Sequence, residues 1–441
     1  MRIVENTDIL LINVPLDRTL SKREEYATLS SMPPLGMLYI ISTLKKEKFK
    51  VSFIDLSVEM FDRKEFEDAL KRMNPRIAAL SSYVESWKIQ NSLAKRIKQM
   101  YPNTAIVAGG YCATFAYEEM LRTGCYDYII RGEGEFAYIS LVNYLIHNTG
   151  TIKDIENLIY LENGKVVKNA FHRIENIDEL PIPERDVLNM DAYSYPFTIS
   201  TARGCPGRCI FCSANAFWGN KVIMRSPESI IDEIKKEYLK FGMKYFFIID
   251  DTFTINLKRT EKFCKLLDEL STELGVDFIW GCESRVDVIK ADSDILSIMK
   301  KSGCNMIQFG MESGNDEVLK SLNKHITYAQ VYQAVEKAYQ AGLNINVSFM
   351  IGHHADTWET IEETVQKAVD LKKRFHANMI FSINTPYPGT ELRNRLDELG
   401  VKLIEDDFSK LKMNDTAICT SHLTANEIRK AYSMATKMLY M

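Results

Sequence analysis

Residues 197–212 read Phe197-Thr-Ile-Ser-Thr201-Ala-Arg-Gly-Cys205-Pro-Gly-Arg-Cys209-Ile-Phe211-Cys212. A short apolar run, 197–201, ends on a loop that carries three cysteines at CxxxCxxC spacing. Three thiolates on one short loop can converge on a single polynuclear iron site, because iron–sulfur clusters are ligated by cysteine thiolates. The fourth ligand is missing locally. Zinc would ask for a second CxxC or a pair of histidines nearby, and His172 and His325 both lie far along the chain. A dithiol redox loop would use Cys209 and Cys212 and leave Cys205 without a task. The reading adopted is an iron–sulfur cluster on Cys205, Cys209 and Cys212, with zinc or purely structural thiols as alternatives.

Downstream of this loop, apolar runs at 245–249, 277–280, 305–309, 345–351 and 377–383 alternate with amphipathic stretches such as 227–241 and 357–374. With 197–201 this makes six βα units, too few for a closed eight-fold barrel. The expectation over 197–400 is an open partial (β/α)6 barrel of the TIM type with its site at the carboxyl ends of the strands. Residues 401–441 read as a helical tail, with Thr424 or Asn426 capping a helix over 427–439.

Upstream, runs at 9–13, 51–55, 77–81, 105–108 and 128–130 again alternate with amphipathic segments. The fold class is therefore α/β: a Rossmann-like doubly wound parallel sheet over 1–150, followed by the partial barrel. Ligands of such sheets sit at the strand carboxyl ends, where Pro33-Pro34-Leu35-Gly36, Ser81-Ser82, Gly109-Gly110 and Gly132-Glu133-Gly134-Glu135 would gather. Glycine there lets backbone approach a ligand, although any one of these glycines alone is explained by a tight turn. Between the two domains, Asn163-Gly164 flanked by Leu158-Ile159-Tyr160 and Val166-Val167 signals a hairpin, and a polar stretch with Ile182-Pro183-Glu184-Arg185 runs to Pro196. Residues 151–196 are read as hairpin and linker.

A chain of 441 residues needs more than one core, in line with this division. With 46% hydrophobic and 26% charged residues it has a soluble globular composition. No apolar run approaches the roughly 18 residues of a membrane span, and no secretory leader follows Met1-Arg2, so a cytoplasmic location is expected. A net charge of −4 gives no footprint for nucleic acid, which leaves a small-molecule or peptide substrate. Nine cysteines in so long a chain do not read as a disulfide framework.

Several further motifs stand at the predicted strand ends. They are Ile248-Ile-Asp250-Asp251-Thr-Phe253, Trp280-Gly-Cys-Glu-Ser-Arg285-Val-Asp287, Phe309-Gly-Met-Glu312-Ser313-Gly314, Met350-Ile-Gly352 and Pro386-Tyr387-Pro-Gly-Thr390. Together with Thr201-Ala-Arg-Gly204, Pro33 to Gly36, Val107 to Gly110 and Arg131 to Glu135, they make the sequence similar to radical S-adenosylmethionine enzymes that carry an N-terminal cobalamin-binding domain. The resemblance implies a [4Fe–4S] cluster held by the three cysteines, with the fourth iron left to chelate the methionyl amine and carboxylate of S-adenosylmethionine. The missing protein ligand is thereby accounted for. It further implies that Asp250, Asp251, Arg285, Glu312, Ser313 and Phe211 surround S-adenosylmethionine, Arg285 as a fork on the methionyl carboxylate. Cobalamin would lie against Pro33, Leu35, Gly36, Ser81, Ser82, Gly109, Gly110, Thr114, Gly132 and Glu133. An external electron donor such as flavodoxin or ferredoxin is implied as partner.

The sequence departs from the family in two places. It has no Asp-x-His-x-x-Gly string, and no histidine precedes His147, so no protein ligand for cobalt is expected. In Gly352-His353-His354-Ala-Asp356-Thr357 two histidines stand where a Gly- and Pro-bearing turn is common. His353, His354 and Tyr387 are the candidate catalytic residues, with a solvated loop as the alternative for the histidines. The function implied is methylation of an unactivated carbon. Competing readings are a non-methylating rearrangement, cyclisation or oxidation, with or without cobalamin, and a binding or sensor protein with a structural cluster.

Overall fold

The computed structural model describes residues 4–15, 32–59, 63–81, 83–289 and 293–440. The chain divides into two compact units, Met1–Pro196 and Phe197–Met441.

The first unit is built on a seven-stranded sheet. Strands β1 (Ile9–Asn13), β2 (Val51–Asp55), β3 (Ile77–Ser81), β4 (Ala105–Gly109) and β5 (Tyr128–Ile130) run parallel, and β6 (Leu158–Glu162) with β7 (Lys165–Lys168) adds an antiparallel hairpin. The order is β2-β1-β3-β4-β5-β6-β7. Strands β1 to β3 are buried almost throughout, which explains why their sequence shows continuous apolar runs instead of alternation. Asn163 and Gly164 both take left-handed backbone, as the two-residue hairpin requires. The segment read as a linker packs back onto this unit: Glu184 N donates to Leu38 O, Ser42 donates to Ile182 O, and the Tyr193 hydroxyl donates to Asp55 at 2.7 Å. Residues 151–196 therefore lie within the first unit.

In the second unit, β8 (Thr198–Ile199), β11 (Tyr245–Ile248), β12 (Ile279–Ser284), β13 (Cys304–Glu312), β14 (Asn344–Ile351) and β15 (Asn378–Ile383) form one parallel, open six-stranded sheet in the order β15-β14-β13-β12-β11-β8. Small antiparallel pairs flank it: β9 (Ala202–Arg203) with β10 (Ile223–Met224), and β16 (Val401–Leu403) with β17 (Ile418–Thr420). Odd-numbered residues of β13 to β15, such as Ile307, Phe309, Val347, Phe349, Phe381 and Ile383, are buried in the core that the helices cover. Even-numbered residues, such as Gln308, Glu312, Ser348 and Ser382, take the opposite face, since strand side chains alternate.

The helices behind this sheet begin and end where local chemistry allows. Ser226 caps Pro227–Phe241, with Pro227 at the first turn and Gly242 left-handed at the end. Asn256 caps Leu257–Leu274, which stops at Gly275. Of the segment 401–441 expected to be a helical tail, residues 401–420 instead hold the β16/β17 pair, and only Ala425–Tyr440 is a helix, with Thr424 and Glu427 exchanging the bonds of a capping box. Its Ile428, Ala431 and Ala435 are fully buried in the core of the second unit.

Gly303, before β13, is the tightest backbone passage in the second unit: φ is +93° and a β-carbon would stand 2.0 Å from the Phe278 carbonyl oxygen. Gly303→Ala should therefore destabilise the unit by more than about 2 kcal/mol, because steric overlap adds to left-handed strain. Thermal unfolding checks this; an unchanged melting temperature would refute it.

Candidate active site

The cysteine loop leaves β9 and turns over the carboxyl ends of the parallel strands. Cys205 and Cys212 are partly exposed, Cys209 is buried, and all three thiols are free. Backbone amides already point at two of the sulfurs: Gly207 N lies 3.4 Å from Cys205 Sγ and Ala214 N lies 3.4 Å from Cys212 Sγ. Burial pushes the Cys212 thiol up to about 12 and raises Cys209, against which the Lys324 and Arg285 charges act. Free thiols on one loop, with amide donors and cations beside them, suit the thiolate donor set of an iron–sulfur cluster.

What fixes this loop is a turn downstream of β13. Ile210 N donates to Leu322 O at 3.1 Å, and Asn323 Nδ2 donates to Arg208 O at 2.9 Å. Ile210, Val318 and Leu322 form a small apolar cluster below, with Phe211 and Leu399 against it. The same turn delivers Lys324, whose ammonium lies 2.9 Å from Glu312 Oε1, both side chains being nearly buried. Lys324 went unrecognised in the sequence, where its signal was only a charged residue within Leu322-Asn-Lys324-His325 after a short helix.

The strand-end residues anticipated from sequence divide into committed and available groups. Asp250 is buried and accepts from Thr201 with both oxygens, from the backbone N–H at 2.6 Å and from the hydroxyl, so it ties the base of the loop to β11. Ser313 is buried against Thr364, and Gly314 N donates to the same threonine at 2.9 Å. The Nε and Nη2 edge of Arg285 is filled by Asp287 at 2.9 Å for both bonds, and Nη2 also reaches Lys324 O at 3.2 Å. Its Nη1 faces the cysteine loop, 2.7 Å from where a β-carbon on Gly207 would stand. The two-pronged clamp on a carboxylate is thus occupied by Asp287 in this structure.

Asp251 remains solvent-accessible yet hemmed in: burial and the Asp250 charge push its carboxyl up to about 6. Glu283, a residue not singled out from sequence, is raised to about 7 by burial and by Asp251 and Glu312. With Glu312 they gather acidic groups at the carboxyl ends of β11, β12 and β13.

His353 is fully buried at the end of β14, and neither ring nitrogen has a hydrogen-bond partner among the described residues. Its ring centroid lies 6.0 Å from that of Phe211 in the cysteine loop. Burial, with the neighbouring His354, pushes the imidazole down to about 3, so it is neutral. The turn that carries it needs no proline, because Asp356 accepts from Gly352 N and His353 N at 2.9 Å each. Beside it Asn384, at the end of β15, is buried with both side-chain polar atoms unpaired among the described residues. Unpaired buried polar groups are costly, about 1–3 kcal/mol each, and mark a place where a ligand supplies the partner. His354 is half-buried, its Nδ1 also unpaired, and Tyr387 is half-buried in the following loop.

In the first unit, strand order reverses between β1 and β3, so the crevice falls between Asn13 and Ser81, which are register partners. Ser82 lies outside the described residues. Pro33 and Leu35 are buried at the start of the helix Leu35–Lys46, and Gly36 is open. The Thr114 hydroxyl donates to Gly110 O at 2.8 Å and accepts from Gly132 N at 2.9 Å, which joins the loops after β4 and β5. Gly110 and Gly132 both have positive φ. Glu133 turns inward instead and accepts from Ile174 N at 2.9 Å. Small backbone loops along one sheet edge, with no histidine among them, fit a large flat cofactor bound without a protein ligand to its metal.

Residues 199–368 match the model of the radical SAM superfamily, and residues 28–142 match the B12 binding domain. An uncharacterized methyltransferase of Pyrococcus horikoshii is 34% identical over 414 residues, covering 91% of this chain and 87% of that protein. The chain belongs to the radical SAM superfamily. It is of the kind that also carries a B12-binding domain. The family therefore assigns it a [4Fe–4S] cluster, S-adenosylmethionine and cobalamin. An anaerobic magnesium-protoporphyrin IX monomethyl ester cyclase of Cereibacter sphaeroides is 29% identical over 422 residues, covering 93% of this chain and 67% of that protein. Among solved structures, a radical S-adenosylmethionine methyltransferase from Kitasatospora setae, with cobalamin and a [4Fe–4S] cluster bound, shares the fold at a TM-score of 0.75 and 14% identity, over 98% of this chain and 88% of that one.

The neutral state of His353 has a measurable consequence. The folded chain takes up this proton only near pH 3, whereas an unfolded histidine takes it near 6.5. Stability is therefore lost as pH falls from about 6.5 toward 3, by up to about 1.4 kcal/mol per pH unit. In His353→Phe this dependence should vanish, so denaturant unfolding of the two proteins between about pH 7 and pH 5 should give converging stabilities. Parallel curves would show that His353 is not the titrating group.

Proposed function

We propose that the chain is a cobalamin-dependent radical S-adenosylmethionine methyltransferase that methylates an unactivated carbon of a small-molecule or peptide natural-product precursor. The observation that carries this reading is the presence in one chain of the three-thiol loop at the first barrel strand and a B12-binding domain. Similarity to a methyltransferase along 91% of the chain supports it. When bound, these groups supply a radical from one-electron cleavage of S-adenosylmethionine and a carrier for the methyl group. Cys205, Cys209 and Cys212 would hold the cluster. Asp251, Glu312 and the Nη1 edge of Arg285 would orient S-adenosylmethionine, Asp250 and Ser313 acting behind them as supports. His353, His354 and Tyr387 would face substrate or cofactor. Residues 1–196 would hold cobalamin along the β1/β3 crevice, at the loops with Gly110, Thr114 and Gly132. The electron would come from flavodoxin or ferredoxin in the cytoplasm.

The 29% identity to a cyclase favours one second reading, a non-methylating ring closure or oxidation. Product analysis separates the two. Reconstituted protein given S-adenosylmethionine and reductant should form 5′-deoxyadenosine and S-adenosylhomocysteine together, and the variant with all three loop cysteines changed to alanine should form neither. 5′-Deoxyadenosine alone would favour the second reading. Equal products from the cysteine variant would overturn both.

Cobalamin bound by the first unit should have no protein nitrogen on cobalt. EPR of the Co(II) form checks this, because nitrogen coordination adds superhyperfine splitting to the cobalt lines. Such splitting, with the cofactor's own base excluded by isotope substitution, would refute the assignment.

A further inference from the structure

Beside the cysteine loop lies a charge pair whose cation, Lys324, has no part in the S-adenosylmethionine site proposed above. Lys324 and Glu312 meet at 2.9 Å with side chains only 9% and 11% exposed, so solvent screens them little. Three backbone features make room for the pair and aim it. Glu312 takes φ of +72°, rare for a residue with a side chain. The register between β13 and β14 shifts between Gly310 and Glu312. A β-carbon on Gly310 would stand 2.7 Å from Glu312 Oε1 and 3.2 Å from Lys324 Nζ, so glycine alone leaves the pair undisturbed. Strain and a glycine at one point indicate an arrangement held against local preference.

The lysine end of the pair is joined to the cysteine loop. The flanking residues Leu322 and Asn323 bond directly to Ile210 and Arg208, the residues on either side of Cys209. The Arg285–Asp287 pair lies nearer solvent, with Asp287 30% exposed.

We infer that Lys324 sets the reduction potential of the cluster held by Cys205, Cys209 and Cys212, and that Glu312 trims its effect. The inference rests on the cluster reading above. A [4Fe–4S]²⁺ cluster on three thiolates gains one electron from a low-potential reductant, and its net charge goes from one negative to two; no bond forms or breaks. A fixed buried ammonium on the turn that is bonded to both neighbours of Cys209 favours the more negative state. Removing it withdraws that stabilisation and also leaves the Glu312 carboxylate buried without its cation, so both changes oppose reduction.

The test is an anaerobic redox titration, followed by cluster EPR without S-adenosylmethionine, of reconstituted full-length wild type, Lys324→Met, Glu312→Gln, the double variant and Lys324→Arg. Lys324→Met should lose at least tenfold in the equilibrium for one-electron reduction, about 59 mV downward. Glu312→Gln should move upward. The double variant should fall between the two single ones, and Lys324→Arg should stay close to wild type. A merely structural lysine would alter cluster content or melting temperature and leave the midpoint of the loaded fraction unmoved. If Lys324→Met loads no cluster, the order of Glu312→Gln, wild type and the double variant is the criterion. Midpoints that agree within threefold across the loaded variants, or a downward shift in Glu312→Gln, would overturn the inference. A wild type with no [4Fe–4S] signal would instead overturn the cluster reading.

Discussion

The seating of the cysteine loop on the turn at Leu322 and Asn323 is the constraint from which the rest of the site follows. Three thiols separated by only a few residues have little intrinsic order, and their usefulness depends on something rigid below them. Two hydrogen bonds and a small apolar contact through Ile210, Val318 and Leu322 supply it. At the other end Asp250 grips Thr201, the last residue before β9. The loop is therefore held at one side by Asp250, just past the end of β11, and at the other by the turn that follows the short helix Asp316–Ser321 after β13.

Charge at this end of the second unit is arranged in pairs of unequal depth. Lys324 with Glu312 is nearly buried, Arg285 with Asp287 is nearer water, and burial raises Asp251 and Glu283, with Asp250 adding to the first and Asp251 to the second. A site lined only by carboxylates would repel both thiolates and an anionic cofactor group. The two cations turned toward the cysteines reverse that local sign while the overall charge remains almost balanced. Such compensation is what permits many ionisable groups to share a small buried volume.

The buried polar atoms of His353 and Asn384 work differently, since no group among the described residues answers them. Their cost is borne by strand ends whose odd-numbered residues are packed in the helix-covered core. A stable scaffold with unanswered polar atoms at its open edge is the usual division of labour in parallel α/β proteins, where packing and function occupy different ends of the same strands.

The parallel strands of both sheets and their approximate extents could be read directly from the sequence, and the three clustered cysteines stand out there as well. The reason is that each is written locally: buried parallel strands appear as apolar runs, and Cys205, Cys209 and Cys212 fall within eight residues. The resemblance of the strand-end motifs likewise named the residues that gather around the loop. What it did not determine was which of them are free. Asp250 and Ser313 proved to be spent on backbone and side-chain partners, and the fork of Arg285 on Asp287. Residues 151–196 became part of the first unit because β6 pairs with β5 and Tyr193 reaches Asp55, contacts that cross large separations in sequence. Lys324, Glu283 and Asn384 entered the site for the same reason. A hydrogen bond or an ion pair is decided by distances of a few tenths of an ångström between segments far apart in the chain, and those distances exist only once the whole sheet is assembled.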